Sequence, residues 1–217
     1  MFTPKAVLFD LDGTLADTAA DLGSALNAMR FARGLAALPL ATLRPHASTG
    51  ARGLIGVGFA RAPGDAEFET LREEFLHRYE TALCVDTRLF DGIGAVLEYL
   101  EQRGTPWGVV TNKITRFTLP LLAQLGLQSR ARTVVCGDTC ARAKPYPDQL
   151  QHACFQLGIG TAEAVYIGDD LRDVQAGQAC GMPTIAAAYG YLGTGDPPQD
   201  WGANAIAHSP HDLHHLV

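Results

Sequence analysis

Lysine is nearly absent from this chain. Of 217 residues only Lys5, Lys113 and Lys144 carry an ammonium side chain, and the formal charge is −6. With a pI near 5.6, that balance argues against an extended nucleic-acid surface, which needs clustered Lys and Arg. Cysteine is sparse as well: Cys84, Cys136, Cys140, Cys154 and Cys180 are odd in number, scattered, and form no C-x-x-C pair. Reduced, mostly buried thiols of a cytoplasmic protein are therefore expected, rather than disulfides or zinc ligands. No apolar run approaches ~18 residues, so no membrane span is predicted. The first strand follows almost directly on the N-terminus and leaves no room for a signal peptide. No internal repeat is found, and nothing reads out an oligomeric state. What remains is a chain with 47% hydrophobic and 18% charged residues, long enough for one large domain or a domain with an insert.

The most informative stretch is Ala6-Val7-Leu8-Phe9-Asp10-Leu11-Asp12-Gly13-Thr14-Leu15. Four apolar residues in a row predict a strand buried on both faces of a parallel sheet. It ends in two carboxylates one residue apart, and residues two apart in an extended segment point the same way. Gly13 lets the backbone turn away, and Thr14 adds a hydroxyl. Carboxylates held together repel each other and call for a cation or a shared proton. A hard ion such as Mg²⁺ meets the first need, and an Asp so placed can also serve as a nucleophile.

Along the chain, Leu22, Leu26 and Met29 predict a helix that Gly34 can end. Glycines at 50, 53, 56 and 58 weaken or interrupt any helix between Leu43 and Phe59. Phe68, Leu71, Phe75 and Tyr79 mark a stronger helix, and no buried strand is read from Asp17 to Arg88. Strands and helices then alternate as in α/β folds: strands over 106–110, 133–136, 164–167 and 184–188, with helices between them, a Pro/Gly-rich loop from Gly193 to Trp201, and a short terminal helix.

Polar groups of complementary type recur just beyond these strands, where open α/β sheets bind ligands. The first strand supplies Asp10 and Asp12. The second supplies Thr111 and Asn112, hydrogen-bond donors suited to phosphoryl oxygens. Lys144 follows the third as a point charge able to neutralise phosphate and nucleophile together. The fourth supplies Asp169, Asp170 and Asp173. A helix beginning near Asp169 would put Asp169 and Asp173 on one side of its first turn. His208, His211, His214 and His215 lie in a polar terminal segment, far in sequence from these clusters, and are read as surface residues.

The order D-x-D-G-T, T-N, K-P, G-D-D-x-x-D resembles the haloacid dehalogenase superfamily of aspartate-nucleophile hydrolases. Trp107–Lys113, Gly168–Asp173, Tyr189-Gly190-Tyr191 and Trp201-Gly202-Ala203 carry a closer likeness to its phosphoglycolate phosphatases and the related bacterial N-acetylmuramic acid 6-phosphate phosphatases. The resemblance implies a Rossmann-like parallel-sheet core over residues 1–16 and 89–217, with a small helical cap, residues 17–88, inserted after the first strand. It implies that Asp10 attacks phosphorus and that Asp12 serves as acid and then base. Mg²⁺ would be held by Asp10, the backbone carbonyl of Asp12 and Asp169, with Asp170 or Asp173 in support. Thr111, Asn112 and Lys144 would bind the phosphoryl oxygens of a small phosphorylated metabolite. The family places a specificity loop in the part of the cap that here reads Ser48–Gly53, so Thr49 and Arg52 are candidates for substrate choice, Arg52 as a partner for a carboxylate.

Asp12 argues against dehalogenation, since a halide leaves without a proton. The absence of lysine from residues 17–88 closes the Schiff-base route of the family's phosphonate hydrolases. A sugar phosphomutase shares the same core motifs, which do not separate the two. A phospho-acceptor signalling module would have no use for so large a cap or for Asp12.

Overall fold

The computed structural model describes residues 3–217. In chain order its elements are β1 (Ala6–Phe9), β2 (Ala16–Asp17), α1 (Ala19–Phe31), α2 (Leu40–Ala47), α3 (Gly50–Phe59), α4 (Phe68–Thr81), β3 (Arg88–Leu89), α5 (Ile93–Gln102), β4 (Trp107–Val110), α6 (Thr115–Gln124), β5 (Thr133–Val135), α7 (Asp148–Leu157), β6 (Ala164–Gly168), α8 (Leu171–Ala179), β7 (Thr184–Ala187), β8 (Ala205–Ala207) and α9 (Leu213–Leu216). Six strands form one parallel sheet in the order β5-β4-β1-β6-β7-β8. This is the Rossmann-like α/β architecture expected from the motif order.

β1 lies between β4 and β6, with Val7 in register with both Trp107 and Val165. Its four side chains are fully buried, which is why it reads as an unbroken apolar run. Alternation along the strand divides the core into two layers. Val7 and Phe9 pack with Val96, Leu97, Leu121 and Leu122 of α5 and α6. Ala6 and Leu8 pack with Leu150, Ala153 and Cys154 of α7 and Ala176 of α8. All five cysteines are free thiols, and among the described residues no helix is long and apolar enough to cross a membrane.

The sheet has one strand more than the sequence predicts. β8 is three residues long and two of them are only half-buried, so neither length nor period marks it. The glycine-rich stretch 43–59 is two helices, α2 and α3, broken at Ser48-Thr49.

Helices α1 to α4 lie between β2 and β3, two-residue strands that pair antiparallel. The chain thus leaves and re-enters the sheet region through adjacent segments, and one carboxylate ties them. Asp21 of α1 is buried and accepts hydrogen bonds from the backbone of Val85 (3.0 Å), Asp86 (3.0 Å) and Thr87 (2.9 Å) and from the Thr87 hydroxyl (2.7 Å). Asp21→Ala strands these donors and should destabilise the protein by about 3 kcal/mol, the scale of bonds to a charged acceptor. Urea unfolding checks this, and a loss under ~1 kcal/mol would contradict the anchoring role.

Candidate active site

The sequence-predicted residues meet at the carboxyl ends of β1, β4 and β6, where strand order reverses around β1. Carboxylate oxygens of Asp10, Asp169 and Asp173 all lie within 4.8 Å of one another. Lys144 stands among them, its Nζ 3.0 Å from Asp10 Oδ1 and 2.7 Å from Asp173 Oδ1. It also donates to the Tyr166 hydroxyl at 2.7 Å. Burial favours the neutral amine at Lys144, yet the charges of Asp10 and Asp173 outweigh it and its pKa is raised.

One ammonium does not balance three carboxylates. Burial pushes the Asp10 carboxyl up to about 6, with Lys144 opposing and Asp173 and Asp12 reinforcing. Asp169 is driven well above the usual carboxylate range by burial and then by Asp10 and Asp173. Among the described residues its donors are neutral: the Thr14 hydroxyl to Oδ1 at 3.0 Å and the Tyr191 N–H to Oδ2 at 2.8 Å. Two glycines make room for it. Gly13 has φ +86°, and a Cβ there would lie 2.0 Å from Asp169 Oδ2. A Cβ on Gly190 would lie 2.3 Å from the Cβ of Asp169. An all-oxygen donor set, buried and short of positive charge, fits a hard divalent cation such as Mg²⁺.

The two candidate supporting acids are placed differently. α8 begins at Leu171, so Asp169 precedes the helix instead of sharing its first turn, contrary to the expected i,i+4 face. A capping box brings Asp173 back, its Oδ2 accepting from Asp170 N at 3.0 Å. Asp170 is the N-cap and is held by Arg172, Nε to Oδ1 at 2.7 Å and Nη2 to Oδ2 at 2.8 Å. Arg172 outweighs burial and lowers the Asp170 pKa. Asp173 joins the triad and Asp170 does not.

Asn112 has a further role. Its side-chain amide clamps the Lys144 backbone, accepting from the Lys144 N–H and donating to its carbonyl, both at 3.0 Å. That bond uses one of the amide's two N–H groups, and Asn112 also lines the cavity. Gln149, unnoticed in the sequence, supports the same loop by accepting from Lys144 N at 3.1 Å. Thr111 is buried at the cavity wall.

Asp12 lies outside the carboxylate triad. Its Oδ1 accepts from the Thr18 hydroxyl at 2.5 Å and from Lys113 Nζ at 2.9 Å. Lys113 is buried against the Tyr79 ring, 4.6 Å from its centroid. Two of the chain's three lysines thus serve this site, a signal that lysine scarcity offered for Lys113 as much as for Lys144. Thr18 and Tyr166 carried no comparable signal.

Above these groups is a cavity of about 280 Å³. Asp10, Asp12, Thr111, Asn112 and Lys144 form part of its lining, while Leu22, Phe75, Leu76 and Phe117 make an apolar wall. Thr49 and Arg52 also line it. The Thr49 hydroxyl is spent on the His46 carbonyl at 2.9 Å, whereas Arg52 is exposed and forms no ion pair among the described residues. The terminal histidines are elsewhere: His211 lies against Gly92 and His214 packs on Tyr99.

Residues 7–187 match the family model for haloacid dehalogenase-like hydrolases. The chain belongs to that family. Within the family it is closely related to the phosphatases. It is 44% identical over 209 residues to the N-acetylmuramic acid 6-phosphate phosphatase of Pseudomonas aeruginosa, covering 96% of this chain and 92% of that protein. It is 45% identical over 210 residues to the phosphoglycolate phosphatase of Xanthomonas campestris pv. campestris, covering 97% and 95%. A crystal structure from Lactobacillus delbrueckii subsp. bulgaricus superposes with a TM-score of 0.85 at 26% identity, over 98% of this chain and 97% of that one.

The charge shortage has a pH signature. Because the folded Asp10 pKa of about 6 exceeds its ordinary 3.8, the metal-free fold binds more protons than the unfolded chain between those values. The Asp10 contribution to stability therefore falls as pH rises through that window. A cation must displace those protons, so Mg²⁺ should raise the melting temperature more at about pH 7.5 than at about pH 5. Equal shifts at both pH values would contradict this account of the triad.

Proposed function

We propose that the protein is a cytoplasmic, Mg²⁺-dependent phosphatase that hydrolyses a small carboxylated phosphomonoester through an aspartyl-phosphate. The observation that carries the reading is the position of Asp10: at the cavity floor, in the carboxylate triad, 3.0 Å from the Lys144 ammonium. In this reading residues 1–16 and 89–217 form the catalytic core, and residues 17–88 form a cap that chooses the substrate.

Asp10 attacks phosphorus in line, and the bond to the leaving alkoxide breaks as Asp12 gives that oxygen a proton. Asp12 then takes a proton from the water that attacks the aspartyl-phosphate, releasing phosphate and restoring both carboxyl groups. Lys144 and Thr111, with the backbone around Asn112, hold the phosphoryl oxygens. Asp10, Asp169 and the Asp12 carbonyl, with Asp173 beside them, would hold Mg²⁺, which when bound neutralises charge on those oxygens.

Features of the cavity bear on the substrate. Arg52 is a free cation suited to a carboxylate. Ser48 has a buried hydroxyl without a partner, a place for a polar substrate atom. The wall of Leu22, Phe75, Leu76 and Phe117 has little to contact in a two-carbon acid and more in an acylated sugar. Of the two substrates that the relatives' names carry, these features favour N-acetylmuramic acid 6-phosphate over 2-phosphoglycolate.

Phosphate release measured with Mg²⁺ across both compounds, hexose phosphates and p-nitrophenyl phosphate tests the proposal. The carboxylated sugar phosphate should have the highest kcat/KM. Arg52→Ala should raise its KM by an amount worth ~1.5–3 kcal/mol, the value of a charge-assisted bond, with little change for p-nitrophenyl phosphate. Preference for an uncarboxylated hexose phosphate, or equal losses on both substrates, would refute the assignment of Arg52.

A further inference from the structure

Thr18 is the N-cap of α1, the position where a threonine hydroxyl ordinarily accepts a backbone N–H of its own helix. Here it makes no such bond. It turns instead to Asp12 and donates to Oδ1 at 2.5 Å. The helix end is served by another residue, far away in sequence. The Tyr191 hydroxyl accepts from Thr18 N at 2.7 Å and from Ala19 N at 2.9 Å. That hydroxyl is also 3.1 Å from Asp17 Oδ1, to which it donates.

We infer that Tyr191 is a positioning residue for the acid/base Asp12: its hydroxyl takes the Thr18 and Ala19 N–H groups and lies 3.3 Å from Thr18 Oγ1, and so fixes the Thr18 hydroxyl that aims the Asp12 carboxylate. The inference rests on the role of Asp12 proposed above. Without the tyrosine hydroxyl, the first N–H groups of α1 would be left short of an acceptor in a buried setting, at a cost comparable to a lost hydrogen bond. Ala19 N would keep Asp17 Oδ1 at 3.4 Å, but Thr18 N would lose the Tyr191 acceptor, and as that segment shifts the Thr18 hydroxyl leaves its present geometry at Asp12. The same residue fixes a second carboxylate, since its backbone N–H donates to Asp169 Oδ2 at 2.8 Å. That bond does not involve the side chain and survives substitution.

The ring is held independently of its hydroxyl. Phe90 lies 6.4 Å away centroid to centroid, and the Arg44 guanidinium of α2 sits 5.5 Å over the ring. Tyr191→Phe therefore keeps the packing and deletes only the hydroxyl's bonds to Thr18, Ala19 and Asp17. Thr18→Val is the complementary variant, removing the donor to Asp12 while leaving the Tyr191 cap in place.

The readout is the dependence of rate on the leaving group, which a purely structural defect would not move. A p-nitrophenolate leaves with little protonation, whereas an alkoxide needs the acid. Since losing a general acid outright costs ~10²–10⁴-fold, misaiming it should lower the single-turnover phosphorylation rate by ~10-fold or more on an alkyl phosphate. On p-nitrophenyl phosphate the loss should stay below ~2-fold. Thr18→Val should give the same split, and the double variant should lose little beyond either single one, because both act through one bond. Asp12→Asn, run in parallel, should show the split in larger form. If Asp12→Asn shows it and Tyr191→Phe loses equally on both substrates or not at all, the positioning role is wrong. If Asp12→Asn shows no split, the acid/base reading falls and takes this inference with it.

Discussion

Crowding of carboxylates out of water governs this molecule. Asp10, Asp169 and Asp173 converge within 4.8 Å, and a single buried ammonium, Lys144, answers them. Such an arrangement costs folding energy unless charge is supplied or protons retained, and much of the surrounding structure serves to hold it in place. The sheet order sets β1 beside β4 and β6, so three strand ends deliver their side chains to one point. Asn112 and Gln149 fix the backbone that carries Lys144. Gly13 and Gly190 leave space that a Cβ at either position would take from the Asp169 side chain. The shortage of positive charge that remains makes the site receptive to a hard cation and to a phosphoryl group held between cation and lysine.

The division of labour in the chain follows from this. The sheet's strand ends are rigid and carry charge, but they address only a phosphate and its metal. Shape and apolar contact come from the segment between β2 and β3, whose helices supply Leu22, Arg52, Phe75 and Leu76 to the cavity. The two regions are joined by more than covalent linkage. Asp21 gathers the returning strand's approach, Arg172 reaches from α8 to the Ser48 carbonyl at 2.9 Å, and Lys113 sits between Asp12 and the ring of Tyr79. The cavity is thus shaped by contacts that bind the helical segment to the catalytic strands.

Much of this was legible in the residues. The run Ala6–Phe9 announced a doubly covered strand because both of its faces are buried. Gly104, Gly126 and Gly158 after three of the helices, and the apolar runs between helices, gave the α/β alternation, and the carboxylates stood out because they cluster at strand ends. What stayed hidden depends on tertiary pairing. β8 is too short and too exposed to have a pattern. Asn112 next to Thr111 looked like a phosphate donor alone, and only the folded loop reveals that its amide also holds the Lys144 backbone. Asp169 and Asp173 were expected to meet by helical spacing, yet they meet through a cap, because Asp170 starts the helix later. Tyr191 and Thr18, 173 residues apart, have no local signature of their partnership.

In the proposed reaction two successive displacements occur at phosphorus, the first by the Asp10 carboxylate and the second by water. Stereochemistry reads this directly, whether or not the aspartyl-phosphate accumulates. A substrate made chiral at phosphorus with oxygen isotopes should pass its phosphoryl group to an added alcohol with net retention, since two in-line inversions cancel. Net inversion would mean that the acceptor attacks the substrate in one step, and Asp10 would then be a ligand or a base and not the nucleophile.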